Sequence, residues 1–257
     1  MAFRASQPGL RTFLSLCLVL LSSGCASTSI GPPGTARQEC VVLLHGLART
    51  SLSMGKLEEA LLQNGYAVCN VDYPSRKKAL EELADTVIGE SMASCRDLGA
   101  ETIHYVTHSM GGIVLRLYLE EHQPKDLGRV VMLSPPNQGT EIVDVLGHNP
   151  LFSLLYGPAA NQLGTDERGL PRTLGSVNFE LGIITGRRSV NPLLSLLIKG
   201  EDDGKVSVTS AAVKGMKELV TVDVSHPFIM RNDRVIELVL RFLGTGSFST
   251  GEAAAQP

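Results

Sequence analysis

From Cys40 to Leu243 short apolar runs alternate with segments of helical period, and that alternation leaves the chain few ways to fold. Cys40-Val41-Val42-Leu43-Leu44 is unbroken until His45-Gly46, as expected of a strand buried on both faces of a parallel sheet. Met54, Leu57 and Leu61 then recur at helical spacing, and Asn64-Gly65 closes that helix. Tyr66–Val71, Thr102–Thr107, Arg129–Leu133, Leu181–Thr185 and Leu219–Val224 read as further strands. Leu80, Leu83, Val87 and Ser91 share one helix face, which Ser75 is placed to cap, and the last helix spans about Asn232 to Leu243. Such an order implies right-handed βαβ crossovers, hence a single α/β domain with about six mainly parallel strands and helices on both faces.

The alternation lapses between residues 137 and 180. A structureless loop of that length is improbable in a compact domain, so short helices covering something are expected there. The domain is expected over 38–244, and the small, polar residues 245–257 read as a disordered tail.

The first 24 residues have another character. Arg4 and Arg11 precede an apolar stretch, Phe13–Leu21, too short to span a bilayer. Leu21-Ser22-Ser23-Gly24-Cys25 then supplies a small-residue cleavage pattern. It resembles the lipobox of bacterial lipoproteins, with Ser22 where that pattern prefers Leu. The resemblance implies lipidation of Cys25 after removal of residues 1–24, with 25–37 as a flexible tether. The protein is then expected outside the cytoplasm, in the periplasm or on the outer membrane, anchored to a membrane surface; a soluble secreted form is the alternative. In an oxidising compartment two of Cys40, Cys69 and Cys95 can pair, and the sequence does not say which. A net charge of −3, with 23 Lys+Arg against 26 Asp+Glu, gives no electrostatic basis for binding nucleic acid.

Chemistry gathers at strand ends. In Thr107-His108-Ser109-Met110-Gly111, a serine stands where a strand turns sharply into a helix begun by Gly111-Gly112. Small neighbours there let helix and strand backbones pack closely. The segment resembles the nucleophile elbow of the α/β-hydrolase superfamily, with Thr107 in place of the usual first glycine. The resemblance covers roughly residues 38–243 and implies the α/β-hydrolase fold, with 137–180 as a cap insertion.

A serine hydroxyl needs a base to take its proton, and in this superfamily the chain order is serine, acid, histidine. His226, after the last strand in Val224-Ser225-His226-Pro227-Phe228, matches the base. His122 and His148 read as surface residues, and His104 and His108 as packing residues of the third strand. The family's acid loop resembles Gly200-Glu201-Asp202-Asp203-Gly204, which points to Asp203, with Asp202 and Glu201 as alternatives. By the same resemblance the backbone N–H groups of Met110 and Leu47 form the oxyanion hole, and His45 ties down the loop that carries Leu47.

Ser109, His226 and Asp203 with two N–H donors imply acyl transfer to water. The stretch Ser134-Pro135-Pro136-Asn137-Gln138-Gly139 resembles bacterial lipase-like and esterase-like members, so the expected substrate is a small-molecule or lipid carboxylic ester. Leu146, Leu151, Phe152, Leu154, Leu155 and Tyr156 are candidates for an acyl pocket. A thioesterase, amidase or acyltransferase with the same residues, and a non-catalytic lipoprotein that binds acyl chains, are the alternatives. No phosphate-binding glycine loop and no His/Cys cluster with metal-ligand spacing occurs, so no cofactor or metal is expected.

Overall fold

The computed structural model describes residues 27–29, 38–167 and 169–250. Strands β1 (Ser27–Ser29), β2 (Glu39–Leu44), β3 (Ala67–Val71), β4 (Thr102–His108), β5 (Leu127–Leu133), β6 (Leu181–Gly186) and β7 (Glu218–Val222) form one sheet in the order β1-β3-β2-β4-β5-β6-β7. The six strands from β2 to β7 are parallel, and β1 adds an antiparallel edge along β3. β1 lies within the segment expected to be a tether: Ser27–Ser29 pair with Val68–Asn70. An unpaired edge of backbone donors and acceptors on β3 accounts for that pairing.

Helices α1 (Gly55–Gln63) and α10 (Asp233–Thr245) cover one face. On the other lie α2 (Leu80–Leu83), a π-helical turn over Ala84–Ile88, α3 (Gly89–Asp97) and α4 (Met110–Glu121). The pleat decides which residue serves which layer: Cys40, Val42 and Leu44 of β2 join the α4 side, while Val41 and Leu43 join the α10 side. All five are fully buried, which is why this strand reads as an unbroken apolar run.

The 137–180 segment carries α5 (Glu141–Leu146), α6 (Pro150–Tyr156), α7 (Pro158–Asn161) and a 3₁₀ turn at Leu170–Arg172. Short helices α8 (Pro192–Ser195) and α9 (Val208–Ala211) follow β6. Arg116 of α4 anchors the start of the insert. Its buried guanidinium donates to the carbonyl and side-chain oxygens of Asn137 and to the carbonyls of Leu174 and Gly175.

Three expectations need correction or completion. Ser75 does not cap the following helix, because a turn over 75–78 intervenes and the helix begins at Leu80 after Ala79. Nor is the chain loose from Thr245 through Ser249: Phe248 is buried and its ring packs, tilted, with its centroid 4.7 Å from that of Phe242, so packing continues past the helix end. Cys40 pairs with Cys95 across β2 and α3, with a Cα–Cα distance of 5.7 Å, and Cys69 is a buried free thiol. The leader (1–24), Cys25 and residues 251–257 lie outside the described residues.

Candidate active site

Strand register sets the site. Leu44 pairs with Thr107, His108 with Leu133, and Leu133 with Ile184, so the carboxyl ends of β2, β4, β5 and β6 finish near one edge of the sheet. Residues at three of these ends hold a left-handed backbone without being glycine: Ala48 (φ 56°), Ser109 (φ 52°) and Ser134 (φ 47°). Each such conformation costs about 1–3 kcal/mol and persists only where its surroundings impose it.

Ser109 sits between β4 and α4, and its N–H donates to the Leu133 carbonyl at 2.8 Å. The turn is tight because α4 starts directly over β2. A Cβ on Gly111 would lie 2.9 Å from the carbonyl oxygens of both Leu44 and His45, so no larger residue fits without moving the strand. Thr107 occupies the position where a glycine is usual, fully buried, and the missing side chain of Gly112 leaves room for its hydroxyl.

The structure brings Ser109, His226 and Asp203 into one hydrogen-bonded chain. His226 Nε2 lies 3.0 Å from Ser109 Oγ, and His226 Nδ1 lies 2.8 Å from Asp203 Oδ2. His226 opens a 3₁₀ helix over His226–Arg231, and its backbone N–H donates to the Asp203 carbonyl at 2.9 Å. Asp203 is fully buried, and its Oδ1 accepts from the N–H groups of Lys205 (3.0 Å) and Val206 (2.9 Å). Burial pushes its carboxyl pKa up, but the charge and hydrogen bond of His226, with further bonds from Ser134 and Val206, outweigh that and hold it below the usual value. The two alternatives are engaged elsewhere. Asp202 Oδ1 accepts from Ser195 Oγ and Gly204 N–H, and Glu201 is exposed.

The loop after β2 is held from below. His45 is buried, stacks on Tyr73 at 4.1 Å, donates from Nδ1 to the Gly46 carbonyl and accepts the Tyr73 N–H at Nε2. The Tyr73 hydroxyl in turn donates to the His45 carbonyl. Burial lowers the His45 pKa, opposed by its bond to Gly46 and the charge of Asp72. Ser75 Oγ accepts the N–H of Ala48, fixing the left-handed residue beside Leu47. Among the described residues the Leu47 N–H has no protein acceptor. Met110, first in α4, has an N–H that no earlier turn of the helix can satisfy.

Two further residues take part in the site with little signal in the sequence. Ser134, at the end of β5, accepts the Gly186 N–H at 3.2 Å and helps to hold the Asp203 carboxyl below its usual pKa. Its only sequence signal is a serine directly before Pro135-Pro136, at the same strand level as Ser109. His108 is buried as a packing residue should be, but its Nε2–H also donates to the His226 carbonyl at 3.1 Å. Burial first, then the charges of His226 and Arg49, hold its pKa well below 6.5, so it stays neutral.

A cavity of about 250 Å³ opens on Ser109 and His226. Its apolar wall includes Ile142, Val143, Leu146, Phe152, Tyr156 and Leu163 from the insert. Of the six residues expected there, Leu146, Phe152 and Tyr156 line it, whereas Leu151, Leu154 and Leu155 turn to solvent with 58%, 80% and 52% exposure. Phe152 and Tyr156 stand four apart on α6 and so share a face, the one turned to the cavity. Among the described residues no group of three His, Cys, Asp or Glu side chains is placed to hold a metal ion, and no helix is long and apolar enough to cross a membrane.

A family model described as the alpha/beta hydrolase fold matches residues 39–183. A thermostable monoacylglycerol lipase from a Bacillus species is 31% identical over 147 residues, 55% of this chain and 51% of that protein. The chain thus matches about half the length of that relative. Among solved structures, the mature lipase BlEst2 of Bacillus licheniformis superposes with a TM-score of 0.68 at 18% identity, covering 86% of this chain and 98% of that one. A monoacylglycerol lipase from Paleococcus ferrophilus does so with a TM-score of 0.55 at 19% identity, covering 86% and 99%.

Proposed function

The chain belongs to the alpha/beta hydrolase fold family, and from that premise we propose that it hydrolyses carboxylic esters through an acyl-enzyme on Ser109. The observation that carries this reading is the spacing of three groups: His226 Nε2 at 3.0 Å from Ser109 Oγ, with Asp203 at 2.8 Å on the far side of the imidazole. In the first half-reaction Ser109 Oγ bonds to the ester carbonyl carbon while its proton passes to His226 Nε2. Asp203 keeps Nδ1 protonated and stabilises the imidazolium, without itself taking the proton. The carbonyl oxygen becomes an oxyanion facing the N–H groups of Leu47 and Met110, each donor worth about 3 kcal/mol in the transition state. Collapse breaks the bond to the alcohol, which leaves with the proton from Nε2. Water then repeats the sequence on the acyl-enzyme and releases the acid.

The apolar cavity supports a hydrocarbon acyl group as the bound part of the substrate, in keeping with a relative named as a monoacylglycerol lipase. Serine-dependent turnover of p-nitrophenyl esters over a series of chain lengths tests the reading. Release that depends on Ser109 and varies with chain length is expected; no Ser109-dependent turnover at any length defeats it.

The same proposal includes export and a lipid anchor at Cys25. Its support is the basic, apolar and small-residue order of residues 1–25, together with the Cys40–Cys95 disulfide, which suits an oxidising compartment. A Cys25→Ser chain should move from the membrane fraction to the soluble one; equal membrane association of both chains would remove the anchor from the account.

A further inference from the structure

Two cations share the cavity with the reacting hydroxyl, and the proposed ester hydrolysis uses neither. Arg49 stands two residues after Leu47 and Lys205 two after Asp203, so they arrive from two separate loops, and both line the cavity that holds Ser109 and His226. Each backbone is pinned. The Arg49 N–H donates to the Gly46 carbonyl at 3.2 Å, and the Lys205 carbonyl accepts the Thr140 hydroxyl at 2.6 Å. Among the described residues neither head group has a carboxylate within ion-pair distance. Asp203, whose field reaches Lys205, is already bound to His226.

The cavity therefore combines an apolar lining with two cations. Ile142, Val143 and Leu163 are buried and apolar, while Arg49 is half-buried and Lys205 is solvent-accessible. An acyl chain belongs against the apolar side chains, which leaves the alcohol portion of an ester to meet the cations. We propose that Arg49 and Lys205 make this enzyme selective for esters whose alcohol portion carries a negative charge, a phosphate or a carboxylate within a few bonds of the scissile oxygen. The inference rests on the ester-hydrolase reading and narrows it to a substrate class.

Electrostatics point the same way. Desolvation of the Lys205 ammonium in the cavity, and then the charge of Arg49, lower its pKa; desolvation and the charge of Arg231 lower that of Arg49. Like charges gathered in a partly apolar cleft oppose one another until an anion arrives. Arginine adds a planar fork that matches a phosphate or carboxylate with two parallel bonds, and lysine adds a point charge. The carboxylate of a released acyl chain forms only on cleavage, at Ser109, whereas a charge on the alcohol portion is present before the ester is cut.

The test compares three soluble substrates on the full chain: hexanoylglycerol, its 3-phosphate and the hexanoyl ester of glyceric acid. For the wild type, kcat/KM is expected to be about tenfold higher for at least one anionic ester than for the neutral one at low salt. That ratio should shrink toward one at about 0.5 M salt, where screening shortens the reach of charge to a few Å. An Arg49→Gln/Lys205→Gln chain should show a ratio near one, and Lys205→Glu a ratio below one. Because the ratio is internal to each variant, a general loss of rate does not imitate it. Preference for the phosphate alone, or for both anions, identifies which anion the pair reads. A wild-type ratio at or below one for both anions, or a preference that survives the double substitution, overturns the inference and leaves ester hydrolysis standing. Absence of Ser109-dependent turnover on all three overturns both.

Discussion

The two walls of the cleft are built on opposite plans. The sheet wall is over-determined: Ser109, Ala48 and Ser134 are held in left-handed backbone, and His45, Asp203, His108 and His226 are all buried with assigned partners. The insert wall is loosely tied. Helix α6 has no buried residue, and Leu151, Leu154 and Leu155 point to water. The contrast indicates a division of labour, in which geometry that must hold to a few tenths of an ångström rides on strand ends and the surface that meets the variable part of the substrate rides on short helices.

The largest effect should come from breaking the rigid wall at its centre. Ser109→Ala is expected to lower ester turnover by at least about 10⁴-fold, and Asp203→Asn by about 10³- to 10⁴-fold. Initial rates on a short p-nitrophenyl ester measure both losses, and circular dichroism of the same samples should show the fold retained. Next comes Gly111→Ala, whose Cβ meets two carbonyl oxygens at 2.9 Å and should cost about 1–3 kcal/mol of stability, read from urea unfolding.

Acid should also weaken the rigid wall. Burial, the largest cause in each case, holds the pKa values of His45, His104 and His108 below 6.5. The unfolded chain takes up these protons near pH 6.5 and the folded one does not, so stability falls as pH drops through that range. Each histidine contributes a slope of up to about 1.4 kcal/mol per pH unit. The urea midpoint should therefore be lower at pH 5.5 than at pH 7.5, and His108→Gln should flatten the decline by about one proton. Asp203 acts in another window: its depressed pKa contributes stability above 3.8 that is lost only as pH falls below it. The smallest effect belongs to the other wall. Leu154→Ser should change stability by no more than about 0.5 kcal/mol, whereas Phe152→Ala should alter the acyl-length profile of hydrolysis. A large loss of stability in the first would erase the contrast.

Those two walls also differ in how far the residues announce them. The six parallel strands are readable because burial on both faces demands unbroken apolar runs, as in Cys40–Leu44. Ser109, Asp203 and His226 stand out because each follows a strand and keeps company with glycine or proline. Ala48 and Ser134 are silent, since neither residue type signals a left-handed backbone and only the tertiary structure imposes it. The Cys40–Cys95 pairing depends on how α3 lies over β2, a long-range fact that spacing does not carry. On α6, three of the five apolar residues in the run Leu151-Phe152-Ser153-Leu154-Leu155-Tyr156 face water because a short helix offers one face to the cavity, and the run does not say which.

Everything in this mechanism depends on His226 raising the nucleophilicity of the Ser109 hydroxyl. Site-resolved labelling with a fluorophosphonate, with the adduct mapped by peptide mass spectrometry, reads that activation. One adduct is predicted, on Ser109, formed at least about 10³-fold more slowly in His226→Ala and absent in Ser109→Ala. A folded wild-type chain that takes no label, or one that labels Ser109 equally fast without His226, would contradict it.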